Sequence, residues 1–451
     1  MLESDLYMIG EIIVKLTDFI CGWPLFILLI GGGLVLFCYS RALPVRKFRT
    51  ALHSLHMKEC GEGYVSSFQA LMNTISSTVG MGNIAGVAIA LCIGGPGAIF
   101  WMWVSALLGM ATKFFEGTLA IMYKGKDDSG VAQGGPMYVL TEGIGPKMKP
   151  LAIMFAFCAL FGGLVMMQAN QLTESLYSVV LNPIGVPDTK WVHLLIGIFI
   201  GGIVSFVIFG GIKRISVVSS KLVPLMVGFY FLMVFGIIVF NYDKLPGVFS
   251  AIFKGAICWK AGFGAFSAVA LTGARRAMYV NEAGVGTAGM MHGASMNAEP
   301  VREGLVAMLG PAIDSGLVCT LSAIPMIMAG LYNTESVEGL SIALNLFDAL
   351  IPFCGRYLLE FVVVIFAFST MFSYSYYGTI CTSYLWGTKH AQKYRYFFVF
   401  TIVLSSVITL DVAVSIMDLA FALMAIPNMI AVFTLAPRVM GETKKYFNAL
   451  R

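Results

Sequence analysis

Eight consecutive positions, Ser76-Ser77-Thr78-Val79-Gly80-Met81-Gly82-Asn83, set hydroxyls, an amide and two glycines inside an otherwise apolar run. Glycine relaxes the backbone, and Ser, Thr and Asn supply oxygen, so a helix opened here would expose main-chain groups to a ligand. The N–H groups of Met81, Gly82 and Asn83 would begin a half-helix whose positive dipole end suits a carboxylate. The carbonyls of Ser76 and Val79 would end the preceding half-helix and suit a hard cation such as Na⁺. A second punctuated stretch, Gly262, Gly264, Thr272 and Gly273, stands in the other half of the chain. Small residues also serve helix packing in membranes. The matched placement in the two halves favours opened turns, because paired broken helices near the bilayer midplane are where transporters bind their cargo.

The elements that must carry these residues are membrane helices. The chain is 58% hydrophobic and only 12% charged, with mean hydropathy +0.84, far from the roughly 25% charge of a soluble domain. Stretches long enough to cross a ~30 Å core fall at 21–40, 64–93, 96–123, 150–181, 190–210 and 216–241, then at 263–290, 303–330, 347–386, 396–412 and 414–437. The expected fold class is therefore an all-α polytopic membrane protein of about eleven helices. Segment 244–254 is too short and amphipathic to cross and reads as an interfacial helix. It divides ten spans into two sets of five, and an odd count places them in opposite orientations, the arithmetic of an inverted repeat. The expected organisation is an extra helix and basic loop over 1–62, a first half over 63–242, a second half over 243–437 and a tail over 438–451. Lys and Arg collect in alternate loops, as at Arg41, Arg46, Lys47, Arg49 and Lys58, and again at Arg438, Lys444 and Lys445. Retention of positive charge inside places the N-terminus outside and the C-terminus in the cytoplasm of the inner (plasma) membrane.

Several blocks resemble the alanine or glycine:cation symporter family. Val65-Ser66-Ser67-Phe68-Gln69-Ala70-Leu71 runs on through residues 78–87 to Gly94-Gly95-Pro96-Gly97-Ala98-Ile99-Phe100-Trp101-Met102-Trp103. Gly134-Gly135-Pro136-Met137-Tyr138, Gln168-Ala169-Asn170, Asn281-Glu282-Ala283-Gly284-Val285-Gly286 and Ser373-Tyr374-Ser375-Tyr376-Tyr377-Gly378 follow in order. The resemblance implies the five-plus-five inverted repeat of the neurotransmitter:sodium symporters with one extra N-terminal helix, and Na⁺-driven uptake of alanine, glycine or a similar small amino acid. It implies carboxylate binding at the Met81 and Gly82 amides, and sodium binding by the carbonyls of Ser76, Val79 and Phe366 with the hydroxyls of Ser369 and Thr370. Gln168 and Asn170 match the family's amide motif and would read substrate polar groups. The expected substrate site comprises Thr78, Gly80, Met81, Gly82, Asn83, Gln168, Asn170, Thr272, Gly273 and Tyr374. Met81 stands where many members place Thr, and Tyr374 where many place Trp, which bears on substrate size.

Ionisable residues at depth each need an account, since burying a charge in a membrane is costly. Lys113 and Glu116, one helical turn apart, read as a local ion pair. Arg275, Arg276 and Glu282 read as a structural pair or a gate, Asp314 after Gly310-Pro311 as a paired carboxylate or a cation or proton site, and Glu174 as a gate or pair. No nucleotide loop, His-Cys-Asp cluster or metal spacing supports an enzyme. The nine cysteines are scattered singly, and the net charge of +5 suits anionic lipid rather than nucleic acid. A proton-coupled amino-acid carrier of the same fold is the alternative to sodium coupling.

Overall fold

The computed structural model describes residues 15–449 apart from 16, 18, 56, 58–60, 62, 258–262, 331–338 and 409. Gly262, Lys58, Lys260, Glu335 and Glu338 therefore lie outside the described residues. In chain order the main helices are α1 (Trp23–Tyr39), α2 (Ser67–Thr78), α3 (Gly82–Gly94), α4 (Gly97–Met122), α5 (Lys149–Gly162), α6 (Met166–Leu176), α7 (Lys190–Ile208), α8 (Gly211–Phe240) and α9 (Leu245–Ala256). They continue with α10 (Phe263–Asn281) and α11 (Thr287–Gly293), then α12, a helical run Pro300–Ala329. The last are α13 (Gly339–Leu350), α14 (Gly355–Trp386), α15 (Thr388–Ser405) and α16 (Leu410–Ala449). A two-residue antiparallel ladder, Gly125–Lys126 with Ala132–Gln133, is the only sheet among the described residues.

Among the described residues seven helices are long and apolar enough to cross a membrane, and the pair α2 and α3, bent by 45° at their junction, makes an eighth. The other expected crossings fall short of that test for reasons written in the sequence. Helix α1 is short, α10 carries Arg275 and Arg276, and α15 opens with Lys389, Lys393 and Arg395. Burial separates centre from rim. The most apolar stretches of α4 and α14 are each 72% buried by protein, whereas those of α7 and α8 are 33% buried. Phe199, Phe206, Leu232 and Phe235 consequently point outward from α7 and α8, as lipid-facing side chains should.

Local chemistry explains where the central helices start and bend. Ser66 caps α2: its Oγ accepts the Gln69 N–H at 3.2 Å, and Gln69 Oε1 accepts the Ser66 N–H at 3.1 Å, a reciprocal capping box. Helix α9 forms where the amphipathic segment was expected. Its buried residues Val248, Ile252 and Ala256 lie on one face, and Gly255 packs against the backbone of Gly97 at the start of α4.

Four boundaries differ from expectation. Stretch 263–290 is not opened at Thr272 and Gly273; α10 runs unbroken through both, and the break falls at 282–286. Stretch 347–386 divides into α13 and α14, because Phe353 turns the chain with φ 71°. Stretch 396–412 is helical already from Thr388 and ends at Ser405, and α16 continues to Ala449 through most of the expected tail.

Candidate cargo site at two broken helices

Helix α2 ends because Val79 turns extended, φ −80° and ψ 97°, and α3 begins with Met81 as its N-cap residue. Asn83 holds this break. Its Oδ1 accepts the Gly80 N–H at 2.9 Å, its own N–H donates to the Gly80 carbonyl at 3.1 Å, and its Nδ2 donates to the Asp314 carbonyl at 3.4 Å. The last carbonyls of α2 and the first N–H groups of α3 have no partner within their own helices. One short unwound stretch therefore presents a negative dipole end and a positive dipole end side by side.

The carbonyl end meets α14. Ser76 Oγ donates to the Ser369 carbonyl at 2.7 Å, and Ser369 Oγ lies 3.4 Å from the Ser76 carbonyl and 2.9 Å from that of Phe366. Thr370 Oγ1 is 3.0 Å from the Phe366 carbonyl. It also lies 2.7 Å from where a Cβ on Gly80 would stand, so only glycine lets the break approach this hydroxyl. Ser76, Phe366, Ser369 and Thr370 are thus gathered in one place, Val79 immediately precedes Gly80, and none of the five is more than 1% exposed. Every donor in the set is a neutral oxygen, the chemistry that hard monovalent cations take.

The N–H end opens on a chamber of about 150 Å³. Ser77, Thr78, Gly80, Met81, Gly82 and Gly86 form one wall, and Met167 and Gln168 of α6 another. Arg276, Val280 and Glu282 enclose a further side, facing Thr370 and Tyr374 of α14 and Met417, Asp418 and Phe421 of α16. Gln168 Oε1 is buried without a hydrogen-bond partner, an acceptor free for an incoming N–H donor. Ser77 Oγ and Tyr377 OH pair at 2.8 Å behind the first wall.

Glu282 belongs to a second break, between α10 and α11. Its own φ is 51°, and Gly284 and Gly286 follow at 91° and 97°, left-handed geometry that suits glycine. Thr287 Oγ1 donates to one Glu282 oxygen at 2.5 Å and the Tyr374 hydroxyl donates to the other. Glu116 of α4 pins the same break, accepting the Gly284 N–H at 2.9 Å and Asn428 Nδ2 at 2.7 Å through one oxygen.

The structure places the expected residues unequally. Thr78, Gly80, Met81, Gly82, Gln168 and Tyr374 line the chamber. Asn83 is fully buried and spent on holding the break. Asn170 points away, donating to the carbonyls of Ser405 and Ile408 at 2.9 Å each, where it satisfies the end of α15. Thr272 and Gly273 are a correction: they face Gly94, Ala98 and Trp101, so their smallness serves helix packing against α3 and α4. Lys113 and Glu116 make no direct ion pair within 4.0 Å, and Lys113 Nζ has no hydrogen-bond partner. Glu174 is exposed on α6, and the Arg275 side chain lies outside the described set. Glu282 was singled out only as part of a flanking pair or gate, and Gly86, Met167, Met417, Asp418 and Phe421 were not singled out. The Asn281-to-Gly286 block, with its two glycines, was the available signal for the second break.

The sequence profile of the sodium:alanine symporter family matches residues 6–451. The sodium/alanine symporter AgcS of Methanococcus maripaludis is 37% identical over 98% of this chain and 98% of its own. A putative sodium/proton-dependent alanine carrier protein, YrbD of Bacillus subtilis, is 33% identical over 97% and 92%. The crystal structure of MhsT in complex with L-phenylalanine superposes with a TM-score of 0.57 over 85% of this chain and 93% of that one, at 13% identity, a likeness that concerns the fold alone. With broken helices around a small buried chamber and a match along nearly its whole length, this chain belongs to the sodium:alanine symporter family.

Proposed function

We propose that the protein carries a small neutral amino acid, alanine or glycine, into the cell together with Na⁺ by alternating access. Ser76, Val79, Phe366, Ser369 and Thr370 bind the ion. The Met81 and Gly82 N–H groups bind the substrate carboxylate, and Gln168 Oε1 receives its ammonium. One observation carries this reading: the Gly80 main chain lies against the Thr370 hydroxyl while the next two residues open into the chamber. Ion and amino acid would then bind opposite dipole ends of the same few peptide groups. Fixing that stretch for one ligand fixes it for the other, and the coupling is reciprocal. The size of the chamber supports a substrate with a short side chain.

The same reading takes α2 to α8 and α10 to α16 as inverted halves, each opened by a broken helix, with α1 outside the repeat. Basic loops orient the N-terminus outward and the C-terminus into the cytoplasm. The experiment is uptake of a panel of labelled amino acids into proteoliposomes with Na⁺ or choline outside. Alanine or glycine accumulation that requires Na⁺ is expected. Accumulation that persists in choline and follows an imposed pH gradient would make the protein a proton-coupled carrier instead.

A further inference from the structure

Lys113 is 1% exposed near the middle of α4, and its Nζ has no hydrogen-bond partner. Among the described residues it makes no ion pair within 4.0 Å. A lone ammonium at that depth is expensive unless opposite charge lies close. Three buried carboxyls, those of Glu116, Glu282 and Asp314, lie beyond that distance but within electrostatic reach of the ammonium. Glu282 has both oxygens engaged, by Thr287 and Tyr374. Glu116 Oε2 and Asp314 Oδ2 complete no well-aligned hydrogen bond, although the hydroxyls of Thr78 and Ser315 lie close to the Asp314 carboxyl. Unpaired buried polar atoms are rare and call for an explanation.

Their position supplies one. Asp314 lies in the π-helical bulge Ala312–Val318 of α12, and its carbonyl is tied to the first break through Asn83. Glu116 is tied to the second break through Gly284. Lys113 shares its face of α4 with Gly109, one turn away, which packs on Asn281 and Ala283 beside that second break. Lys113 does not line the chamber, and the carboxyls around it are tied one to each unwound stretch. Carboxylate and hydroxyl oxygens with free lone pairs are sodium ligands by chemistry, and the fixed cation near them is Lys113.

We infer that Lys113 is a built-in cation that stands in for a second transported one, so that a single Na⁺ accompanies each amino acid. Without its charge, Asp314 Oδ2, Ser315 Oγ and Glu116 Oε2 would accept a further Na⁺. This inference rests on the sodium reading above. It predicts a property that reading leaves open, the number of ions moved.

The test measures radiosodium and labelled alanine flux together in proteoliposomes. In the wild type the flux ratio should be about one with hyperbolic Na⁺ activation, because no second cation is taken up. Lys113→Gln should raise the ratio toward about two and steepen the Na⁺ curve, while Lys113→Arg, which keeps the charge, should not. Adding Asp314→Asn to Lys113→Gln should return the ratio to about one, since the new site loses its carboxylate. If Lys113→Gln folds but does not transport, equilibrium radiosodium binding to the purified variant replaces flux, with two bound ions expected and one overturning the inference. A wild-type ratio of two overturns it whatever the variants do, as does a transporting Lys113→Gln that stays at one. Alanine uptake with no radiosodium flux at all would instead overturn the sodium reading itself, and the wild type alone shows it.

Discussion

Gly86 lines the chamber, and beyond its own turn of helix no atom lies within 4 Å of the place a Cβ would occupy there. Gly86→Ala should therefore fold normally while narrowing the space beside the substrate. One methyl group in an apolar pocket changes discrimination by roughly tenfold or more, so alanine transport should fall against glycine transport by about that factor. Competition uptake with the two labelled substrates measures it, and an unchanged preference would place the substrate elsewhere. At this scale the sequence, through its family resemblance, pointed to Ser369 and Thr370, hydroxyls that the structure sets against the first break. It misled where a polar side chain works on protein instead. Asn83 and Asn170 look like substrate readers, yet Asn83 spends its amide on Gly80 and Asp314, and Asn170 on two carbonyls of another element. Hydrogen-bonding capacity is legible in one dimension; its partner is not.

The two broken helices are the elements on which the account turns, and each has its own pin. Asn83→Ala would leave the buried Gly80 N–H without an acceptor, at a cost of about 1–3 kcal/mol. A lowered thermal midpoint in detergent, together with weakened substrate binding, is the expected result. Thr370→Ala should spare the fold, since its hydroxyl bonds only within α14, but should weaken the Na⁺ dependence of uptake by roughly tenfold through the loss of one oxygen ligand, an effect comparable to a lost polar contact with a charged group. A Na⁺ activation curve identical to wild type would reject the assignment. The first break announced itself because hydroxyls and glycines interrupt an apolar run there. The second was misplaced because Gly273 and Thr272 have the same composition for a different cause. A Cβ on Gly273 would collide with the Ala98 carbonyl, so that glycine buys close packing of α10 on α4. At Gly284 and Gly286 the cause is backbone handedness, and only the dihedral angles distinguish the two.

Across the molecule, the ends of α2 and α11 away from the chamber are latched together. Tyr64 donates its N–H to the Ala294 carbonyl at 2.8 Å, and Met296 its N–H to the Val65 carbonyl at 2.8 Å. Buried Glu303 of α12 gathers Ser67 Oγ at 2.5 Å, His292 Nδ1 at 2.6 Å and Asn297 Nδ2 at 3.1 Å. In the proposed alternating-access cycle this latch would have to open, because both half-helices would part for cargo to leave on that side. Glu303→Ala should raise alkylation of the buried Cys381, which lies 3.6 Å from Met290 of α11, in a variant keeping it as the sole cysteine. Unchanged labelling would show that the latch does not hold the closed state. The overall class, an apolar helical chain, was plain from composition, because hydropathy is a local property summed over a span. The latch was not, because it joins residues more than 200 positions apart, as Ser67 and Glu303 are.

The central claim is that ion and amino acid share one unwound stretch, and titration calorimetry of alanine binding with Na⁺ or choline tests it directly. Na⁺ should tighten alanine binding by about tenfold or more, a coupling of about 1.4 kcal/mol, and Thr370→Ala should remove most of that gain. Equal alanine affinity in Na⁺ and in choline would contradict it.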